Sequence, residues 1–97
     1  MNFINVGYGN MVAVERIVTL ASPDSAPIKR LIQDAKDAGR VIDVSCGRKT
    51  RAVLVLDSDH VVLSALQTDT VAARLLDRSA ADGTEEQESD ASLSKED

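Results

Sequence analysis

The sequence predicts an α+β domain in which two amphipathic helices cover a small, mostly antiparallel sheet. Short runs rich in Val, Ile and Leu are separated by connections of hairpin length, which favour antiparallel pairing. Two other segments carry apolar residues at helical spacing. The predicted order of elements is β-β-α-β-β-β-α, and this order argues against a doubly wound parallel fold.

The first strands are predicted before residue 21. Residues 3–6 have a β pattern, and a Gly-Tyr-Gly-Asn segment follows, whose two glycines allow a tight reversal. The β pattern resumes at residues 11–14, and residues 16–20 are a further β-branched run. We interpret Gly7, Gly9 and Asn10 as a turn at a subunit boundary, with a small-ligand loop as the alternative.

The first helix is predicted after residues 22–27, where two prolines disfavour a strand. Ser25 or Asp24 is placed to cap this helix, and Pro27 is tolerated in its first turn. Apolar residues then recur at i, i+3, i+4 and i+7 and form one stripe of Ile28, Leu31, Ile32 and Ala35. Gly39 supplies the left-handed position that commonly ends a helix.

Three more strands and a second helix complete the predicted domain. The strand runs are residues 41–45, 51–56 and 61–65, and the links at 47–50 and 57–60 are short. Links of this length predict a three-stranded antiparallel meander. Thr68 is a candidate N-cap of the second helix, which is predicted to run to about Arg78 on the apolar residues Val71, Ala72, Leu75 and Leu76.

Net charge divides the chain into two parts. The whole sequence has a formal net charge of −5, but residues 79–97 contain seven acidic residues and one basic residue, which gives −6 and leaves about +1 for residues 1–78. The acidic part has Leu93 as its only large hydrophobic residue, and such a composition cannot offset the entropy of ordering. We therefore predict one domain at residues 1–78 and an acidic disordered tail at residues 79–97.

Composition also bears on the oligomeric state and on the cellular location of the protein. A domain of this length has a thin core, and Phe3 and Tyr8 are its only aromatic residues. We therefore expect a homo-oligomer, with a marginal monomer as the alternative. No apolar run approaches the ~20 residues that cross a bilayer, and no signal sequence is evident, so we expect a cytoplasmic protein without membrane contact. Cys46 is expected to be a small buried residue, with a reactive thiol as the alternative.

Residues suited to catalysis are scarce. His60 is the only histidine, and Asp57, Ser58 and Asp59 are too close to it in sequence to act as nucleophile and orienting acid, which normally come from separate segments. The same group could hold a metal only with ligands from elsewhere in the chain. No Walker or dinucleotide-binding sequence is present. We predict that the protein is not an enzyme and has no cofactor, catalytic residue or metal site.

A cluster of cations lies between two predicted strands. Arg48, Lys49 and Arg51 fall within four residues, and their charges repel one another unless an anion binds them. A nucleic-acid backbone is the common polyanion, and a solvated turn is the alternative. For Arg51, an ion pair with Asp43 or Asp57 is a further alternative.

Four segments of the domain match a known pattern: residues 4–10 (INVGYGN), 22–30 (SPDSAPIKR), 47–53 (GRKTRAV) and 57–61 (DSDHV). They resemble the RemA family of bacterial extracellular-matrix regulatory proteins, and the likeness covers residues 3–76. The resemblance implies a transcriptional regulator that binds double-stranded DNA as a ring of about seven or eight identical subunits. It also implies control of matrix, biofilm and osmoprotection genes and an association with the nucleoid.

The resemblance assigns roles to individual residues. The DNA-contacting basic positions of the family match Arg16, Arg48 and Lys49 here, and Arg51 is expected to assist them or to order the loop. The residue at Lys49 is Arg in the best-known members, so this position keeps its charge but loses a planar fork for phosphate. The cations at residues 29–30 are expected to form a solvated helix face.

Two classes of function follow. The leading hypothesis is a duplex-DNA-binding regulator, in which a ring repeats a weakly basic edge and so gains avidity. The scarcity of aromatic residues disfavours single-stranded nucleic acid, which usually requires base stacking. The alternative is a non-enzymatic oligomeric scaffold that binds protein partners and whose basic loop is incidental. A steep loss of binding with salt would distinguish the regulator from the scaffold.

Overall fold

The computed structural model describes residues 2–76, which form strands, two α-helices and one 3-10 turn. In chain order the elements are β1 (Phe3–Asn5), β2 (Met11–Ala13), the 3-10 turn (Val14–Arg16), β3 (Ile17–Ala21), α1 (Ala26–Asp37), β4 (Val41–Asp43), β5 (Ala52–Leu56), β6 (Val61–Ser64) and α2 (Thr68–Leu76). The predicted α+β class is confirmed. The predicted acidic tail and the predicted helix end at Arg78 lie outside the described residues.

Three strands precede α1, one more than in the predicted order of elements. The 3-10 turn divides the second β segment into β2 and β3. β1 and β2 form a separate antiparallel hairpin. In its turn, φ is positive at Gly7, Tyr8 and Gly9, and Asn10 donates its backbone N–H to the Gly7 carbonyl at 3.0 Å. The predicted glycine-containing turn is confirmed.

The other strands form a four-stranded sheet in the order β3-β5-β6-β4. β5 pairs antiparallel with β3 and β6, whereas β4 pairs parallel with β6, so the predicted meander is wrong. The reason is that the whole link between β4 and β5, residues 44–51, is long enough to cross the end of β6. Along this path Val44 donates its N–H to the Leu63 carbonyl at 2.9 Å, and Arg51 donates its N–H to the Ser64 carbonyl at 2.8 Å.

Both faces of the four-stranded sheet are covered. The β1–β2 hairpin and α2 cover one face, where the buried residues are Ile4, Val6, Ala52, Leu54, Val62 and Val71. The other face holds the predicted stripe of α1, packed on Val53, Val61 and Leu63. Successive residues of β5 therefore enter opposite layers, as the pleat of a strand requires. Each fully buried Val or Leu side chain contributes about 1.5–3 kcal/mol.

The ends of α1 agree with the prediction. Ser25 occupies the N-cap, although its side chain makes no capping hydrogen bond. Gly39 has a φ of +74° and donates its N–H to the Lys36 carbonyl at 3.1 Å, and Arg40 donates to the Ala35 carbonyl at 2.8 Å. This pair of bonds is a Schellman motif. Within residues 2–76, neither helix has the length and apolar character needed to cross a membrane.

Candidate nucleic-acid interface

The clustered cations lie on the connection between β4 and β5. Arg48 donates its backbone N–H to the Ser45 carbonyl at 3.0 Å, which closes a tight turn. The two central residues, Cys46 and Gly47, have φ values of +56° and +82°, as in a type I′ turn. The exposed cationic side chains are Arg48, Lys49 and Arg51. We call residues 45–51 the basic loop.

An acidic side chain anchors the first residue of the basic loop. Asp43 Oδ1 accepts the hydroxyl of Ser45 at 2.6 Å and its backbone N–H at 2.9 Å. These hydrogen bonds, followed by the positive charge of Lys36, lower the pKa of Asp43 below its ordinary value. Ser45 is only 2% exposed. Asp43 is therefore ionised at neutral pH and holds a buried serine at the start of the loop.

The backbone of Arg51 closes the other end of the basic loop through its hydrogen bond to β6, and its side chain is exposed. The alternative in which Arg51 pairs with Asp43 or Asp57 is wrong. In the described part of the chain neither carboxylate lies within ion-pair distance of Arg51, and Asp57 pairs with Arg16 instead. The Arg51 guanidinium is thus presented to solvent on the same loop as Arg48.

Arg16 ends the 3-10 turn that precedes β3. Its Nη1 donates to the two carboxylate oxygens of Asp57 at 3.1 and 3.2 Å, and its carbonyl accepts the Asp57 backbone N–H at 2.8 Å. The Arg16 side chain is 60% exposed, so this ion pair contributes no more than ~1 kcal/mol. A phosphate at Arg16 would compete with Asp57 for Nη1.

Arg16 and the basic loop lie at opposite ends of β5. Ile17, which follows Arg16, pairs with Leu56 at the end of β5, whereas Arg51 immediately precedes the first residue of β5. β5 has five residues. At ~3.3 Å per residue, β5 is about 17 Å long, and this length separates the backbone at Arg16 from the backbone of the basic loop. The structure therefore brings the three loop cations together but does not bring Arg16 to them within one chain.

Comparison with known proteins shows the family of this chain. The sequence profile described as RemA-like, extracellular matrix regulatory protein A-like, matches residues 3–75. The chain belongs to the RemA-like family. It is 56% identical over 75 residues to Extracellular matrix regulatory protein A of Bacillus subtilis (strain 168), a match that covers 77% of this chain and 84% of the relative. The predicted resemblance is thereby confirmed.

Other relatives have similar lengths of match to this RemA-like chain. A protein from Geobacillus kaustophilus (strain HTA426) is 63% identical over 75 residues, which cover 77% of this chain and 86% of the relative. A protein from Moorella thermoacetica (strain ATCC 39073 / JCM 9320) is 54% identical over 86 residues, which cover 89% of this chain and 94% of the relative. The matches therefore span most of each relative and include the basic loop.

Two residues singled out in the sequence of this RemA-like chain have no assigned chemistry. Cys46 is exposed, so the expectation of a buried residue is wrong. The reason is that β4 ends at Asp43 and Cys46 lies in the surface turn beyond it. His60 Nδ1 lies 2.7 Å from the Ser58 hydroxyl in the turn between β5 and β6. Among residues 2–76, no three His, Cys, Asp or Glu side chains are grouped to hold a metal ion.

Sequence reasoning missed the residues that anchor the basic loop of this RemA-like chain. The predicted strand at residues 41–45 includes Asp43 and Ser45, but β4 ends at Asp43. The signal was the Asp-x-Ser spacing, because an Asp side chain often accepts a hydrogen bond from the backbone two residues later. Arg40 was also missed, and its Nε donates to the Asp59 carbonyl at 3.2 Å near the Arg16 end of the sheet.

An apolar groove of about 410 Å³ opens beside Arg16. Its lining includes Met11, Val12, Ile42, Val44, Leu56 and Val62, together with the polar residues Arg16 and Asp57. In the described sheet, β3 and β4 are the two edge strands, and they expose Val18 and Ile42 respectively, Val18 to 65%. Exposed apolar edges of this kind favour self-association.

Proposed function

We propose that the protein is a non-enzymatic transcriptional regulator that binds duplex DNA through the basic loops of a ring-shaped homo-oligomer. The observation that carries this proposal is the basic loop, in which three exposed cations follow a turn anchored by hydrogen bonds. The RemA-like family supports a regulatory role, because one relative bears the name Extracellular matrix regulatory protein A. Matrix and biofilm genes are the proposed targets, and the bacterial cytoplasm, at the nucleoid, is the proposed location.

Phosphate contacts rather than base contacts account for the proposed binding. Arg48 and Arg51 offer planar guanidinium groups, whereas Lys49 offers a point charge. Each neutralised phosphate adds roughly 0.9 to the slope of log affinity against log salt. One chain offers the three loop cations and Arg16, so a single chain binds weakly. The exposed aromatic residues lie in the β1–β2 region rather than on the basic loop, which favours duplex over single-stranded DNA.

The two exposed sheet edges support a head-to-tail ring. β3 and β4 lie on opposite sides of the four-stranded sheet. Packing of β3 from one copy, with Val18, against β4 and the apolar groove of the next copy is a heterologous contact. Heterologous contacts close into a ring when the rotation between copies permits, here about seven or eight copies. Tethered loops then raise avidity by about 10² or more over one loop.

DNA binding by the full chain tests the proposal. Fluorescence anisotropy on a duplex at about 50 and 200 mM salt gives the affinity and the salt slope, and native mass spectrometry gives the oligomeric state. Arg48→Ala and Lys49→Ala are expected to weaken binding and reduce the slope without changing the oligomer. Arg30→Ala removes an exposed cation of α1 and is the matched control. Equal losses of affinity for duplex DNA in Arg30→Ala and Arg48→Ala would contradict a DNA-binding site at the basic loop.

An oligomeric scaffold for protein partners is the second candidate, and the apolar groove beside Arg16 is the observation that favours it, since in this candidate the groove binds a partner and does not form the contact between copies. A ring that shows no salt-sensitive binding to duplex DNA would support the scaffold over the regulator. A monomer that does not bind DNA would contradict the proposed regulator and its ring.

A further inference from the structure

We propose that Asp43 and Ser45 are positioning residues for DNA binding, which hold the basic loop in the conformation that presents its cations. The inference rests on the proposed function of the basic loop. It adds two residues that carry no positive charge and that the family resemblance did not assign. Their role is to fix the loop, and the loop cations make the contacts with phosphate.

Hydrogen bonds run without a break from β4 to the first loop cation. Asp43, the last residue of β4, accepts both the hydroxyl and the backbone N–H of Ser45 through Oδ1. The Ser45 carbonyl in turn accepts the backbone N–H of Arg48 at 3.0 Å. Ser45 is buried, whereas Arg48 is exposed. A buried anchor is therefore joined to an exposed cation by consecutive hydrogen bonds.

The anchor matters because the turn has an unfavourable backbone conformation. Both Cys46 and Gly47 are left-handed, and a residue with a Cβ rarely adopts this conformation. Without the anchor, the loop would sample other conformations, and DNA would have to order it on binding. In a ring the same loss would recur at every subunit that contacts the duplex.

The charge and the geometry of Asp43 have opposite effects on DNA binding. Its negative charge lies close in sequence to the three loop cations and by itself weakens their attraction for phosphate. Its hydrogen bonds to Ser45 favour binding by fixing the loop. Asp43→Asn removes the charge and keeps an Oδ1 acceptor, whereas Asp43→Ala removes both. A positioning role predicts that Asp43→Asn binds at least as tightly as the unaltered chain and that Asp43→Ala binds more weakly than Asp43→Asn.

The test compares full-chain variants in the same duplex titration at fixed salt. Ser45→Ala changes no charge, and we expect it to weaken binding roughly three- to tenfold. Ser58→Ala is the matched control, because it removes a hydroxyl that contacts His60 in the turn at the other end of β5, and it should bind normally. Hydrogen exchange at the Arg48 amide should accelerate in Ser45→Ala and Asp43→Ala but not in Asp43→Asn.

The outcomes separate this inference from the proposed function. Normal binding by Ser45→Ala, in a titration where Arg48→Ala binds weakly, would overturn the inference and leave the function intact. Absence of binding by the unaltered chain would overturn the function itself. If Ser45→Ala does not assemble because Ser45 is buried, the Asp43 variants decide, and equal affinities of Asp43→Asn and Asp43→Ala would overturn the inference.

Discussion

Cys46 occupies a backbone conformation that suits asparagine or glycine better than cysteine. Its φ of +56° is left-handed, and Gly47 follows it at the second central position of the turn. Cys46→Asn would give an Asn-Gly pair, which type I′ turns favour. We expect this change to raise the free energy of unfolding by about 0.5–1 kcal/mol, because asparagine adopts the left-handed conformation at a lower cost than cysteine does.

Urea unfolding at a fixed protein concentration measures this change. Fixed concentration is needed because self-association adds to apparent stability. Cys46→Val is the matched control, since a β-branched residue tolerates positive φ poorly and should lower the free energy of unfolding. A lower stability in Cys46→Asn than in the unaltered chain would contradict this expectation.

Asp43 couples the stability of the folded chain to acid pH. Its pKa in the folded chain lies below the ordinary value of 3.8, so the unfolded chain takes up this proton first. The stabilisation is present above the unfolded pKa and is lost as the pH falls through the folded pKa. Between about pH 4.5 and 2.5, we expect the free energy of unfolding to fall more steeply in the unaltered chain than in Asp43→Asn. The free energy of unfolding is measured by urea unfolding at each pH. The same dependence on pH in the two chains would contradict this expectation.

The elements of the fold could be predicted from local sequence, but the pairing of one strand could not. α1 follows from a helical stripe and from Gly39, whose left-handed φ ends the helix. β4 pairs with β6 because the link between β4 and β5, which contains Ser45, crosses the end of β6. The periodicity of a strand shows which of its faces is buried, but it does not show which strand lies beside it. The grouping of the loop cations was predictable because they lie within four residues of the sequence, whereas the position of Arg16 depends on the β3–β5 register.

The exposed edge strand β3 provides a test of the proposed assembly. Val18 is the most exposed apolar residue of the four-stranded sheet. Val18→Lys would place a charge on an edge that the proposed ring buries, and a buried unpaired charge is costly. We expect native mass spectrometry to show smaller species, with the far-UV circular dichroism of the fold retained.

A charge of the same sign on a helix serves as the control for Val18→Lys. Gln33→Lys lies on the exposed side of α1 and should leave the oligomer unchanged. An intact ring in Val18→Lys would exclude β3 from the contact between copies. Dissociation of the ring by both variants would indicate that total charge, rather than the edge strand, controls assembly.

The whole chain has a negative net charge, whereas its described domain has a positive net charge. Residues 77–97 carry eight acidic and two basic side chains, whereas residues 2–76 carry nine basic and eight acidic ones. Twenty-one residues can span up to about 70 Å, which exceeds the longest dimension of 37 Å. The acidic segment is therefore long enough to reach the basic loop. We expect a chain that ends at Arg78 to bind duplex DNA more tightly than the full chain, most clearly at low salt.

A full-length variant without the acidic charges distinguishes the effect of charge on DNA binding from the effect of chain length. Replacement of the acidic residues of the segment by Asn and Gln should give the same affinity as the chain that ends at Arg78. Equal affinities of the full and shortened chains at every salt concentration would show that the acidic segment does not compete with DNA.

The strand directions of the sheet would give the proposed ring two unlike rims. β3, β4 and β6 run in one direction and only β5 opposes them, so the basic loop and the Arg16–Asp57 pair leave the sheet at opposite ends. In a cyclic ring whose strands run along the ring axis, all the loops would line one rim and all the ion pairs would line the other. If the duplex lies on the rim formed by the basic loops, Arg48→Ala should lower the affinity for DNA and Arg16→Ala should not. A duplex wound around the outer wall would lose affinity in both, so these two variants together report the path of the DNA.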